Sequence, residues 1–331
     1  MSLVSLKEIV AGRRLSVAES RELMLAIASG RYTETYLAAL LTALATRGLD
    51  VDLLDGFSSA AAELATPIDL DCAELIDMCG TGGDGKSSFN ISTTAAFVVA
   101  GAGYKVAKHG NIAVSSSCGS SNVLEALGIK LSGEQEHLKR SLAEAGVCFI
   151  HAPLFNQAFR SLAPVRKELG FRTVFNALGP LINPATIDFQ YTGVYNLELQ
   201  RLYGYLLNRR NKKFAVVHSL DGYDELSLTD TARVVSSSGS FELRPGDLSS
   251  PKLSPAQIAA PTSAIESAKL IEGILKNSSV RALKSCVVAN AGSAIWFYQG
   301  ARGNLSECLA IAEESINSGR ALKVLRRCQE L

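Results

Sequence analysis

Apolar positions recur at helical spacing through roughly the first 70 residues, then give way to short apolar runs separated by helix-length segments. Ser16 to Glu19 reads as a capping box, in which Ser16 and Glu19 satisfy each other's orphan backbone donors, and Leu23, Ile27 and Ala28 continue the apolar face. Thr33 is a second N-cap, ahead of an apolar helix over residues 36–45, and a third helix follows Asp50. The first strand expected is 75–79, which ends in glycines. Strands at 104–107, 148–151, 214–218 and 285–289 alternate with helices at 93–102 and 122–127, and 305–329 reads as a terminal helix or helix pair. This rhythm predicts an α/β domain with a mainly parallel central sheet. It is interrupted by Pro-bounded helical pieces over 152–184, expected to pack back on the N-terminal helices and leave a cleft. The expected division is a helical domain over 1–70, joined by a returning segment at about 155–184, and an α/β domain over 71–331. Residues 236–240 and 248–261 read as Ser- and Pro-rich loops.

A chain of 331 residues with 47% hydrophobic and 20% charged residues has ample material for a buried core. The net charge of +1 argues against a nucleic-acid binder. No signal peptide is read at the N-terminus, and the longest apolar stretch, 94–107, is glycine-broken and shorter than the roughly 20 residues of a bilayer span, so no membrane partner is expected. The seven cysteines form no C-x-x-C pair, which favours a reducing cytoplasm over disulfides or a zinc ribbon.

Residues 79–87 carry the candidate chemistry. Gly80, Gly82 and Gly85 spell the dinucleotide fingerprint, while Gly80, Gly85, Lys86 and Ser87 spell the P-loop. Both patterns rest on glycines after a strand that bring backbone N–H groups and a helix start to a phosphate. A dinucleotide site needs an acidic residue about 20 positions on, where this chain has the basic run Tyr104 to His109. A P-loop enzyme needs an apolar strand ending in a magnesium-binding Asp, which 214–221 matches only loosely.

The blocks that follow resolve the ambiguity. Gly80-Thr81-Gly82-Gly83-Asp84-Gly85 is succeeded by Phe89-Asn90-Ile91-Ser92-Thr93, Lys108-His109-Gly110-Asn111, Gly119-Ser120-Ser121, Pro164-Val165-Arg166, Arg172 to Asn176, Leu178-Gly179-Pro180 and Asp221 to Ser227. Taken in order and over nearly the whole chain, they resemble the anthranilate phosphoribosyltransferase family. That resemblance implies a small helical domain beside a larger α/β domain, a homodimer, and a magnesium-dependent reaction of tryptophan biosynthesis. In it the phosphoribosyl group of phosphoribosyl pyrophosphate passes to the amine of anthranilate.

The resemblance also implies the site. Gly80, Gly82, Gly83 and Asp84, with Asn90, Ser92, Thr93, Lys108 and Ser120, would hold phosphoribosyl pyrophosphate. Gly80, His109, Asn111, Arg166, Gly179 and Pro180 would receive anthranilate, with the Arg166 guanidinium gripping its carboxylate. Ser92, Asp224 and Glu225 would hold magnesium. Taken alone, Asp224-Glu225 also fits a solvated acidic turn, Arg166 a surface ion pair and His109 a structural histidine. No catalytic residue is expected beyond these, because an aromatic amine already carries a free lone pair at neutral pH.

Two positions depart from the family's commonest pattern: Ile112 stands where many members have Arg, and Asn156 where many have His. They leave open a related transferase with another acceptor. A related nucleoside phosphorylase would need a Lys-His-Ser-Thr-Gly-Gly type of loop, which is missing. A non-catalytic nucleic-acid-binding paralogue would need a basic groove and a damaged acidic pair, whereas Asp224 and Glu225 are present.

Overall fold

The computed structural model describes residues 5–111 and 119–331, apart from the side chains of residues 158, 160 and 161. Its centre is a seven-stranded sheet: β1 (Leu75–Asp77), β2 (Lys105–Gly110), β3 (Val147–His151), β4 (Phe189–Gly193), β5 (Lys213–Ser219), β6 (Ala232–Ser236) and β7 (Gly239–Leu243). The spatial order is β3-β2-β1-β4-β5-β6-β7. β3 through β5 run parallel, and β6 and β7 extend the edge as an antiparallel pair. Chain order reverses at β1, which lies between β2 and β4. In open parallel sheets the crevice at the strand carboxyl ends beside such a switch point is where ligands bind.

The expected caps form. Ser16 and Glu19 make a complete capping box on helix Val17–Ala28, Thr33 caps Glu34–Arg47, and Asp50 caps Val51–Leu64 through a 2.8 Å bond to the Leu53 N–H. Each such cap contributes about 1 kcal/mol. Two of these helices cross so closely that a β-carbon on Gly56 would stand 2.4 Å from the Ser20 β-carbon. The returning segment supplies Leu162, Val165, Phe175, Leu178 and Ile182 to one apolar cluster with Leu23, Leu40, Leu54 and Phe57 of the N-terminal helices. The opposite face of the sheet buries a second cluster against helix Ile91–Gly101 and the C-terminal helices.

Two local expectations are corrected. Residues 285–289 are not a strand but lie inside the 18-residue helix Arg281–Tyr298. That helix buries nearly every position from Cys286 to Phe297, so no polar face marks its period, and a short apolar run is then ambiguous between helix and strand. The Ser-rich stretch 236–240 is no plain loop but the tight connection and strand ends of the β6–β7 pair, with Ser236 paired to Gly239. No helix among the described residues is long and apolar enough to cross a membrane.

Candidate active site

A cleft of about 590 Å³ opens at the carboxyl ends of β1 and β2, faced by the returning segment. Every site residue named above lines it except Pro180, which is buried behind Gly179 with its carbonyl accepting from Gln190 Nε2. The position of Ile112 lies outside the described residues.

The glycine loop leaves β1 and turns through left-handed backbone at Gly82 (φ +62°), Gly83 (φ +75°) and Gly85 (φ +73°), a conformation that side chains strain. Its start is tied to the end of β4 by the Thr81 N–H, which donates to the Gly193 carbonyl at 2.9 Å. The Gly82 N–H donates to Asp224 Oδ2 at 2.7 Å, so loop and acidic turn are directly joined. Gly193 lies under that turn with no room for a side chain: a β-carbon there would stand 1.5 Å from the Asp224 carbonyl oxygen.

Helix Ile91–Gly101 points its N-terminus into the cleft with Asn90 as its N-cap, and the Ser92 N–H donates to Glu225 Oε1 at 3.2 Å. Lys108, 4% exposed on β2, reaches under the same helix start. Its Nζ donates to the Met78 carbonyl and lies 3.3 Å from Ser92 Oγ. Ser120 begins helix Ser120–Ala126 across the cleft, its Oγ donating to the Asn111 carbonyl at 3.3 Å.

The Asp224–Glu225 turn is pinned from below. Ser219 Oγ donates to the Glu225 carbonyl at 2.6 Å, and buried Asn290 accepts from the Leu226 N–H at 3.1 Å while donating to the Leu226 carbonyl at 2.9 Å. Burial raises both carboxyl pKa values, and the like charge of Asp84 raises them further, while Lys108 opposes the rise at Glu225. Crowded carboxylates with so little opposing charge form a donor set for a hard divalent cation. Among the described residues no three His, Cys, Asp or Glu side chains gather into a metal cage. The buried Asp224–Glu225 pair suits magnesium, which keeps waters and phosphate oxygens beside one or two carboxylates.

The other half of the cleft is aromatic and carries the Arg166 guanidinium. Arg166 lies 5.5 Å over the Phe175 ring, burial alone lowers its pKa, and among the described residues it has no carboxylate partner. His109 Nδ1 donates to the Gly179 carbonyl at 3.0 Å, leaving the buried Nε2 without a partner among the described residues. Burial is the main cause that lowers the His109 pKa to about 4, so the ring is neutral at physiological pH and Nε2 is an acceptor. Asn156 is 3% exposed, and among the described residues neither its Oδ1 nor its Nδ2 has a hydrogen-bond partner.

The glycosyl transferase family's helical bundle domain matches residues 5–65 and its a/b domain matches residues 72–322. The anthranilate phosphoribosyltransferase of Cytophaga hutchinsonii is 45% identical over 97% of this chain and 98% of that protein. The chain belongs to the anthranilate phosphoribosyltransferase family. Among solved members, the enzyme from Thermus thermophilus superposes with a TM-score of 0.90 at 37% identity, covering 98% of each chain. The Saccharomyces cerevisiae enzyme in complex with PRPP and Mg superposes with a TM-score of 0.91 at 26% identity, covering 98% of this chain and 96% of that one.

Beside the residues expected in the site, the fold brings in others: Asn183, from the Asn183-Pro184 motif block, and Asp77, Gly193 and Asn290, which the motifs did not single out. Asp77, 1% exposed on β1, accepts from the His109 N–H and from Asn183 Nδ2, both at 3.0 Å, and Asn183 also donates to the Ala107 carbonyl at 3.0 Å. Burial pushes the Asp77 carboxyl up to about 6. This network holds β2, which carries Lys108 and His109, against the returning segment. A lone acid inside the apolar run 75–79 was the signal available for Asp77. Gly193 and Asn290 had none, because their roles are contacts with residues distant in sequence.

Proposed function

We propose that this chain transfers the 5-phosphoribosyl group of phosphoribosyl pyrophosphate to the amine of anthranilate, releasing pyrophosphate. One observation carries the reading beyond family membership: a single cleft has a half built for a metal-bound polyanion and an aromatic half with a guanidinium that has no carboxylate partner among the described residues. The glycine loop, the helix start at Asn90, Ser92 and Thr93, buried Lys108 and Ser120 suit the diphosphate and ribose phosphate of the donor. Magnesium, held by Asp224 and Glu225 with Ser92 beside them, would supply positive charge against the charge that grows on the leaving diphosphate. Lys108, itself buried, adds a fixed charge on the same side.

The acceptor sits in the other half. Arg166 takes its carboxylate, Phe175 and Phe159 flank the ring, and Gly80, Asn111 and Gly179 complete the wall. Neutral His109 offers Nε2 to an amine N–H. The C1–O bond to pyrophosphate breaks, the electron pair leaves with the diphosphate, the amine lone pair forms the C1–N bond, and the acidic ammonium nitrogen so formed sheds its proton to the departing diphosphate or to water. Positioning and electrostatics supply the rate, and no strong base is required.

The homodimer that the family resemblance implies belongs to the same proposal and is tested by the mass in solution. So does a reducing cytoplasm, which the six free cysteines among the described residues support. The decisive test follows loss of anthranilate fluorescence with phosphoribosyl pyrophosphate and magnesium. Turnover is expected for the wild type and a loss of about 10² or more for Asp224→Asn with Glu225→Gln. Full activity of that variant, or of wild type in excess EDTA, overturns the metal assignment.

A further inference from the structure

Asn156 closes the first turn after β3, on the short helix Ala152–Phe155, and its backbone N–H is already committed to the Ala152 carbonyl at 2.9 Å. Its side chain is the anomaly. It is more than nine-tenths buried, it lines the same cleft as Arg166, and among the described residues both polar atoms lack partners. Native proteins seldom leave a buried amide wholly unsatisfied, and a ligand entering the cleft that Asn156 lines would complete it.

A primary amide presents an acceptor and a donor side by side in one plane. The same edge lets Asn read adenine, whose ring offers a donor beside an acceptor. A small rigid acceptor can satisfy both atoms only if its own donor and acceptor are neighbours. An aromatic acid with its amine ortho to the carboxylate has that pairing; the meta and para isomers hold the two groups too far apart.

We propose that Asn156 selects the ortho isomer, its Oδ1 accepting an amine N–H while its Nδ2 donates to a carboxylate oxygen. This rests on the function proposed above and adds a division of labour. Arg166 senses that a carboxylate is present, whatever the ring carries elsewhere. Asn156 senses that a hydrogen-bond donor stands next to it. A ring-held His at this position has one nitrogen at a time facing a ligand, and so cannot make the paired reading.

The test compares the binding of four small aromatic acids: anthranilate, salicylate, benzoate and 3-aminobenzoate. Anthranilate is followed by turnover and the others as inhibitors. Salicylate keeps a donor ortho to the carboxylate but has no nucleophilic amine. Wild type is expected to bind anthranilate and salicylate about 10-fold or more tighter than benzoate and 3-aminobenzoate. Asn156→Ala should collapse that preference to within about threefold, whereas Arg166→Ala should weaken all four together. Asn156→Ser serves as a second variant if the alanine protein does not fold, as judged by circular dichroism and melting. A preference for the ortho pair that survives in the folded Asn156 variant overturns the proposal. So does a wild type that turns anthranilate over but binds benzoate equally well. Absence of anthranilate turnover by wild type would instead overturn the function on which the proposal rests.

Discussion

Replacing Gly193 by alanine puts a methyl group into occupied space. The new β-carbon would lie 1.5 Å from the Asp224 carbonyl oxygen and 2.6 Å from its carbonyl carbon. Contact between such atoms needs roughly 3.5 Å, so turn and strand must separate by about 2 Å. Neither yields easily. Gly193 is held in register with Val217 on β5, its carbonyl accepts from Thr81, and the turn is pinned by Ser219 and Asn290. The clash is with backbone, so no rotamer change relieves it. Overpacking of this kind costs about 1–3 kcal/mol or more, lowering the melting temperature by several degrees. The larger effect falls on function, because the displaced atoms belong to the residue that joins the glycine loop to the acidic pair. A misplacement of about 1 Å can cost 10² in rate. Gly193→Ala is therefore expected to fold, to lose about 100-fold or more in kcat, and to need more magnesium for half-maximal rate. The assay is a magnesium titration of anthranilate consumption at a temperature well below melting. Gly246→Ala is the control, since nothing stands within 4 Å of that β-carbon. A Gly193→Ala protein within about threefold of wild type in kcat and in magnesium requirement refutes the reasoning.

Lys108→Ala should raise the KM for phosphoribosyl pyrophosphate, while Arg166→Ala should raise that for anthranilate by roughly 10- to 150-fold, the loss of one charge-assisted contact. Steady-state kinetics with each substrate varied would sink the two-half cleft if the effects were exchanged. His109 supplies a pH test. Its folded-state pKa of about 4 lies below the ordinary 6.5, so the stability it contributes is present above about pH 6.5 and is lost as pH falls through about 4. The gap corresponds to about 3 kcal/mol, and urea unfolding of wild type against His109→Gln should show the wild type losing more stability between pH 7 and pH 4. Asp77, raised to about 6, acts in the opposite sense but in both proteins, and cancels in the comparison. An imidazole that titrates near 6.5 by NMR contradicts the prediction.

What the sequence by itself determined is local. Ser16, Thr33 and Asp50 cap helices because a side-chain oxygen reaches a backbone N–H three residues on, a contact that spacing alone encodes. The strand at Leu75 running into glycines, and the alternation that follows, are legible for the same reason, and ordered motif blocks carried the family. What only the tertiary structure decided depends on residues far apart in the chain. The helix Arg281–Tyr298 hid its period because it is buried on nearly all sides, leaving no polar face to count from. Gly193 matters because Asp224 folds onto it, Asn290 because the Leu226 backbone needs its amide, and Asp77 because Asn183 and the His109 N–H converge on it. Asn156 stood out in sequence only as a departure from the His that many family members have. Burial of its amide beside the cleft, with both polar atoms unpartnered among the described residues, turns the same residue into a candidate reader of the acceptor, because hydrogen-bond demand arises only once water has been excluded.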